Sequence, residues 1–566
     1  MFTFPVAHFS SSAAGFDVGN ALLFNQADSA VLKRTPSSAS NRNTWTFSFW
    51  MKRGQDLANS AGYGIFSSYS AGNDSGYFES GIHPSEDHYF IEEWSNDIKK
   101  TSAELRDTHS WYNIVLAIDT TQSTAEDRQK IYINGTRVTE FDTDNTYDED
   151  QDLAINTNAE HWIGASEYWG EYNSTRYFDG YLADINFTDG TQYDASAFGE
   201  LNDNGVWVPV NPSVTYGTNG FRLEFKQTGT GTASTTTIGA DTSGNNNHWT
   251  SVNLASTDVV TDSPTNNKAT WSSISYGPTT SSPTLNNGNL DIPGSGLQDR
   301  GVGGSFAVSG SGKYYWEYEI TSGSGGTPSQ TLGMFSQPFT HSTWSLGGSG
   351  ESRGYHSDDG DKVTGTTDTS YGSAWTTTGI RLGVAVDLDN GAIYFAQNNT
   401  WQNSGDPTSG SSKTGAAFTD LTSGVWSPFC GSSGNRGSTV IFNEDDFEYT
   451  PPTGYVALAT KNMPDPTVAD PSNGFQAVTY IGDGGTHTVP MGNTFGTQDL
   501  SNASTSSVNN VNPNAIGFRF TAPRDCKMYD FTFFGSSGTA GNVDAYVYSD
   551  SSNSPGSVLS TIGTGI

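Results

Sequence analysis

A chain of 566 residues, at about 100 to 200 per domain, has room for three or four domains that each bury a core. Its 26 Lys and Arg against 60 Asp and Glu leave a net charge of −34, which sets the surface against phosphate and anionic lipid and argues against nucleic acid as a partner; no run of about 18 apolar residues offers a membrane span. Only 34% of residues are hydrophobic, yet 13% are aromatic and 65 are Gly, a mixture that suits polar all-β domains and not disorder.

Helical periodicity is hard to find, whereas short alternating runs bounded by Gly, Asn, Asp and Pro recur throughout. In Trp45 to Met51 the residues Trp45, Phe47, Phe49 and Met51 share one face, and Asn113 to Asp119 is the continuous apolar run of a strand covered on both sides. Lys130 to Ile133 leads into Asn134-Gly135 and then Thr136 to Phe141, a hairpin whose turn tolerates positive φ. Asn390-Gly391, between Val384 to Leu388 and Ile393 to Phe395, predicts a second one. Further strands are expected at Ala515 to Phe520, Tyr529 to Phe534 and Val543 to Tyr548.

Composition sets the expected boundaries: an N-terminal arm at 1–15, a sandwich at 16–227, an Asn/Thr/Ser-rich linker at 228–275, a second sandwich at 276–460, a Pro-rich connector at 461–474 and a small β-domain at 475–566. The fold class is all-β, tandem β-sandwiches of jelly-roll type. The last segment has no obvious closing strand, which fits either a truncated end or a strand supplied by another subunit, and so leaves room for a homo-oligomer. Cys430 and Cys526 fall in different expected domains, so no disulfide framework or zinc motif can be assembled. Met1 to Ser12 has neither a basic nor an apolar region of signal-peptide type, which predicts a protein made without export.

Several segments of the first sandwich resemble the laminin-G-like branch of the concanavalin-A-like lectins: Trp45 to Arg53, Ser110 to Leu116, Ile131 to Gly135, His161 to Gly164 and Phe178 to Ile185. Asp241 to Trp249 looks like a further piece of that family displaced into the linker. The middle region resembles a SPRY domain through Tyr314 to Ile320, Ile380 to Trp401, Trp426 to Phe429, Val440 to Asn443 and Tyr449 to Tyr455. Two such sandwiches around an Asn-rich segment resemble tail-fibre or other structural proteins of marine bacteriophages. That resemblance implies a virion location, other virion proteins as neighbours, and host recognition through a bacterial surface glycan or protein.

Carbohydrate recognition needs aromatic faces beside polar groups. Tyr168, Trp169 and Tyr172 in one loop, and Trp94 with Asp97 in another, offer both; core packing is the competing role for such aromatics. The SPRY resemblance implies a partner-binding rim containing Trp344, Tyr355, His356, Asp358 and Trp375. Asp142, Asp144, Asp148 and Asp150, with Glu149 and Asp152, crowd a loop whose oxygens suit calcium, or simply solvent. Its spacing is not that of an EF-hand, since Tyr147 and Leu153 stand at the Gly and Glu positions. No other cofactor is expected. His83 and His88 lack the order of a zinc motif.

Glu317 and Glu319 share one strand face, but Trp316, Tyr318 and Ile320 fill the other, the pattern of structural sheet. No paired-carboxylate strand motif of glycosidase type and no nucleophile elbow occurs, so no catalytic residue is assigned. The expected function is a non-enzymatic virion protein, a tail fibre or host-recognition appendage that binds a bacterial surface glycan or protein. A bacterial adhesin is the alternative, and a glycan-cleaving enzyme on the same fold comes after it.

Overall fold

Strand Thr44–Arg53 carries Trp45, Phe47, Phe49 and Met51 on one fully buried face, as the alternation predicts. It pairs with Tyr112–Asp119 on one side and Gly180–Asp189 on the other, so it lies in the interior of a sheet. The computed structural model describes residues 16–54, 63–69, 76–83, 87–93, 96–168, 171–172, 176–202, 205–276, 283–294, 300–323, 330–336, 352–365, 367–432, 436–463, 545–551 and 554–563. The chain divides into two compact units, Met1–Thr467 and Val468–Ile566.

Around Thr44–Arg53 the first sheet runs Thr136–Arg137, Gln129–Ile133, Tyr112–Asp119, Thr44–Arg53, Gly180–Asp189, Ala21–Phe24, Val259–Val260, with Phe221–Leu223 also on Gly180–Asp189. Opposite it lies Phe141–Asp144, Asn96–Glu104, His88–Glu93, Tyr77–Ile82, Tyr63–Tyr69, Glu160–Ile163, Val31–Arg34, Thr250–Val252. The two sheets meet in an aromatic core: Phe47 stacks on Phe66 at 4.2 Å, Trp45 meets Phe78 edge-on at 5.6 Å, and Trp249 closes on Phe221 at 5.0 Å. The outer face of the first sheet is covered as well. Val115, Ala117 and Tyr132 pack on Ala195 and Phe198, and Trp50 and Tyr181 pack with Trp111 and Val260.

The turn at Asn134-Gly135 takes positive φ at both residues, 47° and 77°, as its sequence requires. The second predicted hairpin forms differently. Four residues, 388–391, join Arg381–Asp387 to Ala392–Gln397, and of the Asn390-Gly391 pair only Gly391 has positive φ. Asn390 instead donates its backbone and amide N–H groups to Asp387 at 3.1 and 2.8 Å, closing an Asx-type loop.

The expectation of a linker at 228–275 is corrected. Thr250–Val252 and Val259–Val260 complete both sheets of the first sandwich, Trp249 is buried in its core, and Trp271–Tyr276 opens a sheet of the second. A Thr/Ser/Asn-rich segment can be ordered in this way because its side chains satisfy backbone groups. Asp241 alone accepts from the N–H groups of Arg222, Ser243 and Asn247 and from the Ser243 hydroxyl, at 2.8 to 2.9 Å.

The second sandwich stacks Trp271–Tyr276, Arg300–Gly304, Val425–Ser432, Gln330–Ser336, Ser352–His356, Asp361–Thr364, Thr367–Ser370 on Asp291–Ile292, Gly437–Ile441, Lys313–Ser322, Arg381–Asp387, Ala392–Gln397, Thr400–Trp401. Trp316, Tyr318, Tyr355, Trp375, Phe395 and the free thiol of Cys430 lie in its core. In the C-terminal unit, Ala545–Ser551 pairs with Ser554–Gly563, over the alternating run expected at Val543 to Tyr548. The strands expected at Ala515 to Phe520 and Tyr529 to Phe534, and Cys526, lie outside the described residues. Among the described residues no helix is long and apolar enough to cross a membrane.

Candidate functional site

One sheet of the first sandwich is covered on both faces, and the edge of the other carries a groove. There Val31–Arg34 runs between Glu160–Ile163 and Thr250–Val252. A groove of about 610 Å³ opens at this edge, lined by Lys33, Arg34, Thr35, Ser37, Glu160, Ala233, Asn246, Asn247, His248 and Thr250.

The loop that forms its wall is built around Asp241. By accepting from Ser243 and Asn247 it folds 241–247 back on itself, with Asn246 at φ 60°, a conformation Asn adopts more readily than most residues. The Asp241 N–H donates to His248 Nδ1 at 2.9 Å, which leaves Nε2 to carry the ring proton. Asn247 donates to the carbonyls of Thr218 and Gly220 at 3.0 and 2.8 Å and accepts from Arg34, which also donates to Asn219 O at 3.3 Å. Burial pulls the Arg34 guanidinium down to about 10, against the attraction of Asp241 and Asp189. Lys33 Nζ lies 3.3 Å from Glu160 Oε1. The groove thus offers amides, hydroxyls, an imidazole and an ion pair beside a hydrogen-bonded loop, a set suited to hydrogen-bonding a hydroxylated ligand.

The structure separates the residues expected from sequence. Trp94, Trp169 and Trp344 lie outside the described residues; Asp97, Tyr168 and Tyr172 lie on described strands, but their side chains do not belong to the described part. Tyr355 and Trp375 are corrected from rim to core. Both are fully buried, with ring centroids 5.9 Å apart, and Tyr355 also stacks on Phe395 at 5.2 Å. The Tyr355 hydroxyl donates to Ser373 O and accepts from Gln397 at 2.6 Å, so neither ring presents a face to a ligand. Their neighbour His356 does stay near the surface, with Nδ1 2.9 Å from Asp358 and 3.2 Å from Asp359.

The carboxylates of the acidic loop have different partners. Asp142 lies 3.6 Å from His88, Asp144 pairs with Lys99, and Asp148 and Asp150 are exposed. Glu149 and Asp152 pair with Arg128 and Arg42 at 3.3 and 3.4 Å. Lys99, Arg128 and Arg42 thus each hold a different carboxylate of the loop. Among the described residues, the group of three that could share one ion is His356, Asp358 and Asp359.

Glu317 is structural sheet, as its strand pattern predicts. It is fully buried and accepts from the Tyr315 hydroxyl and from the N–H groups of Glu448 and Tyr449, each at 2.9 Å, leaving no room for a substrate. Sequence reading missed the groove residues Arg34, Asn246, Asn247 and His248. The usable signal is the Asp241 to Trp249 segment, which resembles a piece of the family but falls in the expected linker.

Residues 25–196 match the concanavalin A-like lectin/glucanases superfamily, and residues 313–445 match the SPRY domain. Among solved structures, the chain is similar to the SPRY domain of human HERC1, at 15% identity over 31% of this chain and 99% of that one, TM-score 0.25. It is also similar to a heptameric SAP-like pentraxin from Limulus polyphemus, at 14% identity over 36% of this chain and 90% of that one, TM-score 0.26. No curated protein matches. Strands, cores and matched residues agree that this chain carries a domain of the concanavalin A-like lectin/glucanases superfamily followed by a SPRY domain.

Proposed function

We propose that this protein is a non-enzymatic component of a bacteriophage virion, a tail fibre or related host-recognition appendage, that binds a bacterial surface glycan or protein. The observation that carries the reading is the groove at Lys33, Arg34, Glu160 and 246–248, whose donors and acceptors are held by the Asp241 loop and match the hydroxyl groups of a sugar. A net charge of −34 and the Gly-rich, aromatic composition support a surface-exposed adhesive protein. Its location would be the particle surface, with other virion proteins as neighbours.

The test is retention of the purified chain on intact host bacteria, competed by their isolated surface polysaccharide, with reducing-sugar release followed in the same samples. Retention that free polysaccharide abolishes, without sugar release, supports the reading. Release of reducing sugar overturns the non-enzymatic part, and absence of retention overturns the recognition part.

A further inference from the structure

Lys52, on strand Thr44–Arg53 of the first sandwich, is fully buried, and its Nζ lies 2.8 Å from Asp262 Oδ2, 2.8 Å from Asn267 Oδ1 and 2.8 Å from Lys268 O. Asp262 and Asn267 belong to the segment that leaves this sandwich for the next. Each partner is itself held in place. Asp262 Oδ1 accepts from Trp111 Nε1 and from the Lys268 N–H, both at 3.2 Å, and Asn267 Nδ2 donates to His109 O at 2.7 Å. Lys52 Nζ therefore touches both a buried carboxylate and a half-buried side-chain amide.

We propose that Lys52 and Asn267 form an intramolecular isopeptide bond, with Asp262 carrying the protons. Asp262 takes a proton from Nζ, leaving a neutral amine that attacks Asn267 Cγ. The new Nζ–Cγ bond forms as the proton on Asp262 passes to Nδ2; the Cγ–Nδ2 bond breaks and the former amide nitrogen leaves as ammonia. The second Nζ proton passes to Asp262 and departs with the ammonia as ammonium, so that Asp262 ends as a carboxylate and no other reactant is consumed. Holding Nζ against Asn267 Oδ1 keeps the amine beside the amide carbon and lowers the entropic cost of such a step.

The surroundings favour the neutral amine the reaction needs. Burial lowers the Lys52 pKa, and the nearby Lys268 ammonium lowers it further, against the opposing pull of Asp262 and Asp107. His109 O fixes the orientation of the amide, so that its carbonyl side faces Nζ. The bond would tie an interior strand of the lectin-like sandwich to the segment leading into the SPRY domain, closing a loop from 52 to 267 that the chain otherwise holds by non-covalent contacts.

The experiment is intact mass spectrometry of the purified full chain, followed by tryptic digestion. The expected mass is below that of the sequence by one ammonia. Succinimide formation at Asn134-Gly135 or Asn390-Gly391 loses the same mass, so the digest decides. Trypsin cannot cut after an acylated Lys52, and the proposal requires residues 43–53 joined to 227–268 as one branched peptide. Lys52→Met and Asp262→Ala chains should lack that peptide. Recovery of 227–268 only as a free peptide from the unsubstituted chain, which needs no variant to fold, overturns the proposal.

Discussion

Tyr181, on strand Gly180–Asp189 of the first sandwich, donates its hydroxyl proton to the Gly288 carbonyl of the second sandwich at 3.0 Å. Gly288 has φ 61°, and a Cβ placed there would lie 2.6 Å from the Tyr181 ring. Its N–H in turn donates to Asp179 at 3.3 Å, so the two sandwiches share a buried joint that admits only glycine. Gly288→Ala is expected to cost about 1 to 3 kcal/mol by overpacking and to split one calorimetric melting transition into two. Retention of a single transition at the parent temperature would show that the joint does not couple the sandwiches.

Trp249 tests whether 228–260 belongs to the first sandwich. Its side chain fills the core against Phe221, so Trp249→Ala should destabilise the lectin-like sandwich by about 3 to 5 kcal/mol. Chemical denaturation is the measurement. A loss below about 0.5 kcal/mol, the range of a surface change, would return this segment to the role of a linker.

Burial pushes the Glu93 carboxyl up to about 8, against Arg42 and the Ala154 N–H, so the folded chain holds a proton there that the unfolded chain, with a carboxyl near 4.5, releases. The stabilisation is complete below about 4.5 and is lost as pH rises through about 8. Glu93→Gln, uncharged at every pH, should therefore melt progressively higher than the parent as pH is raised from 5 to 9. A difference independent of pH would mean that the group titrates normally in the fold.

Ser37 is exposed and lines the groove. Ser37→Trp fills that space without touching the core, and cell retention should fall by about tenfold or more, equivalent to about 1.4 kcal/mol, at an unchanged melting temperature. Unimpaired retention would move the recognition surface elsewhere, first to the loop at Trp169.

Because Lys99, Arg42 and Arg128 already hold carboxylates of the acidic loop, chelation of divalent ions is expected to leave the melting temperature unchanged. A fall of several degrees, restored by calcium, would show that the loop rearranges around an ion.

Strand identity was legible wherever burial and alternation coincide. Trp45 to Met51 and Tyr314 to Ile320 could be placed because every second residue must leave water, a requirement that acts within a few residues of chain. The Asn134-Gly135 turn was legible for the same local reason, since its two residues tolerate the positive φ they adopt. What local pattern could not supply was the partner of each polar residue. Whether Asp241 caps a loop or waves in a linker depends on Arg222, 19 positions away, and whether Asp144 binds an ion depends on Lys99 across the sheet. Tyr355 and Trp375 look like rim aromatics until Phe395 from another strand stacks on Tyr355 and both rings join the core. The groove and the Lys52, Asp262 and Asn267 cluster are products of pairing across up to 216 positions, where hydrogen bonds and burial are decided by which strands become neighbours and not by the residues beside them in sequence.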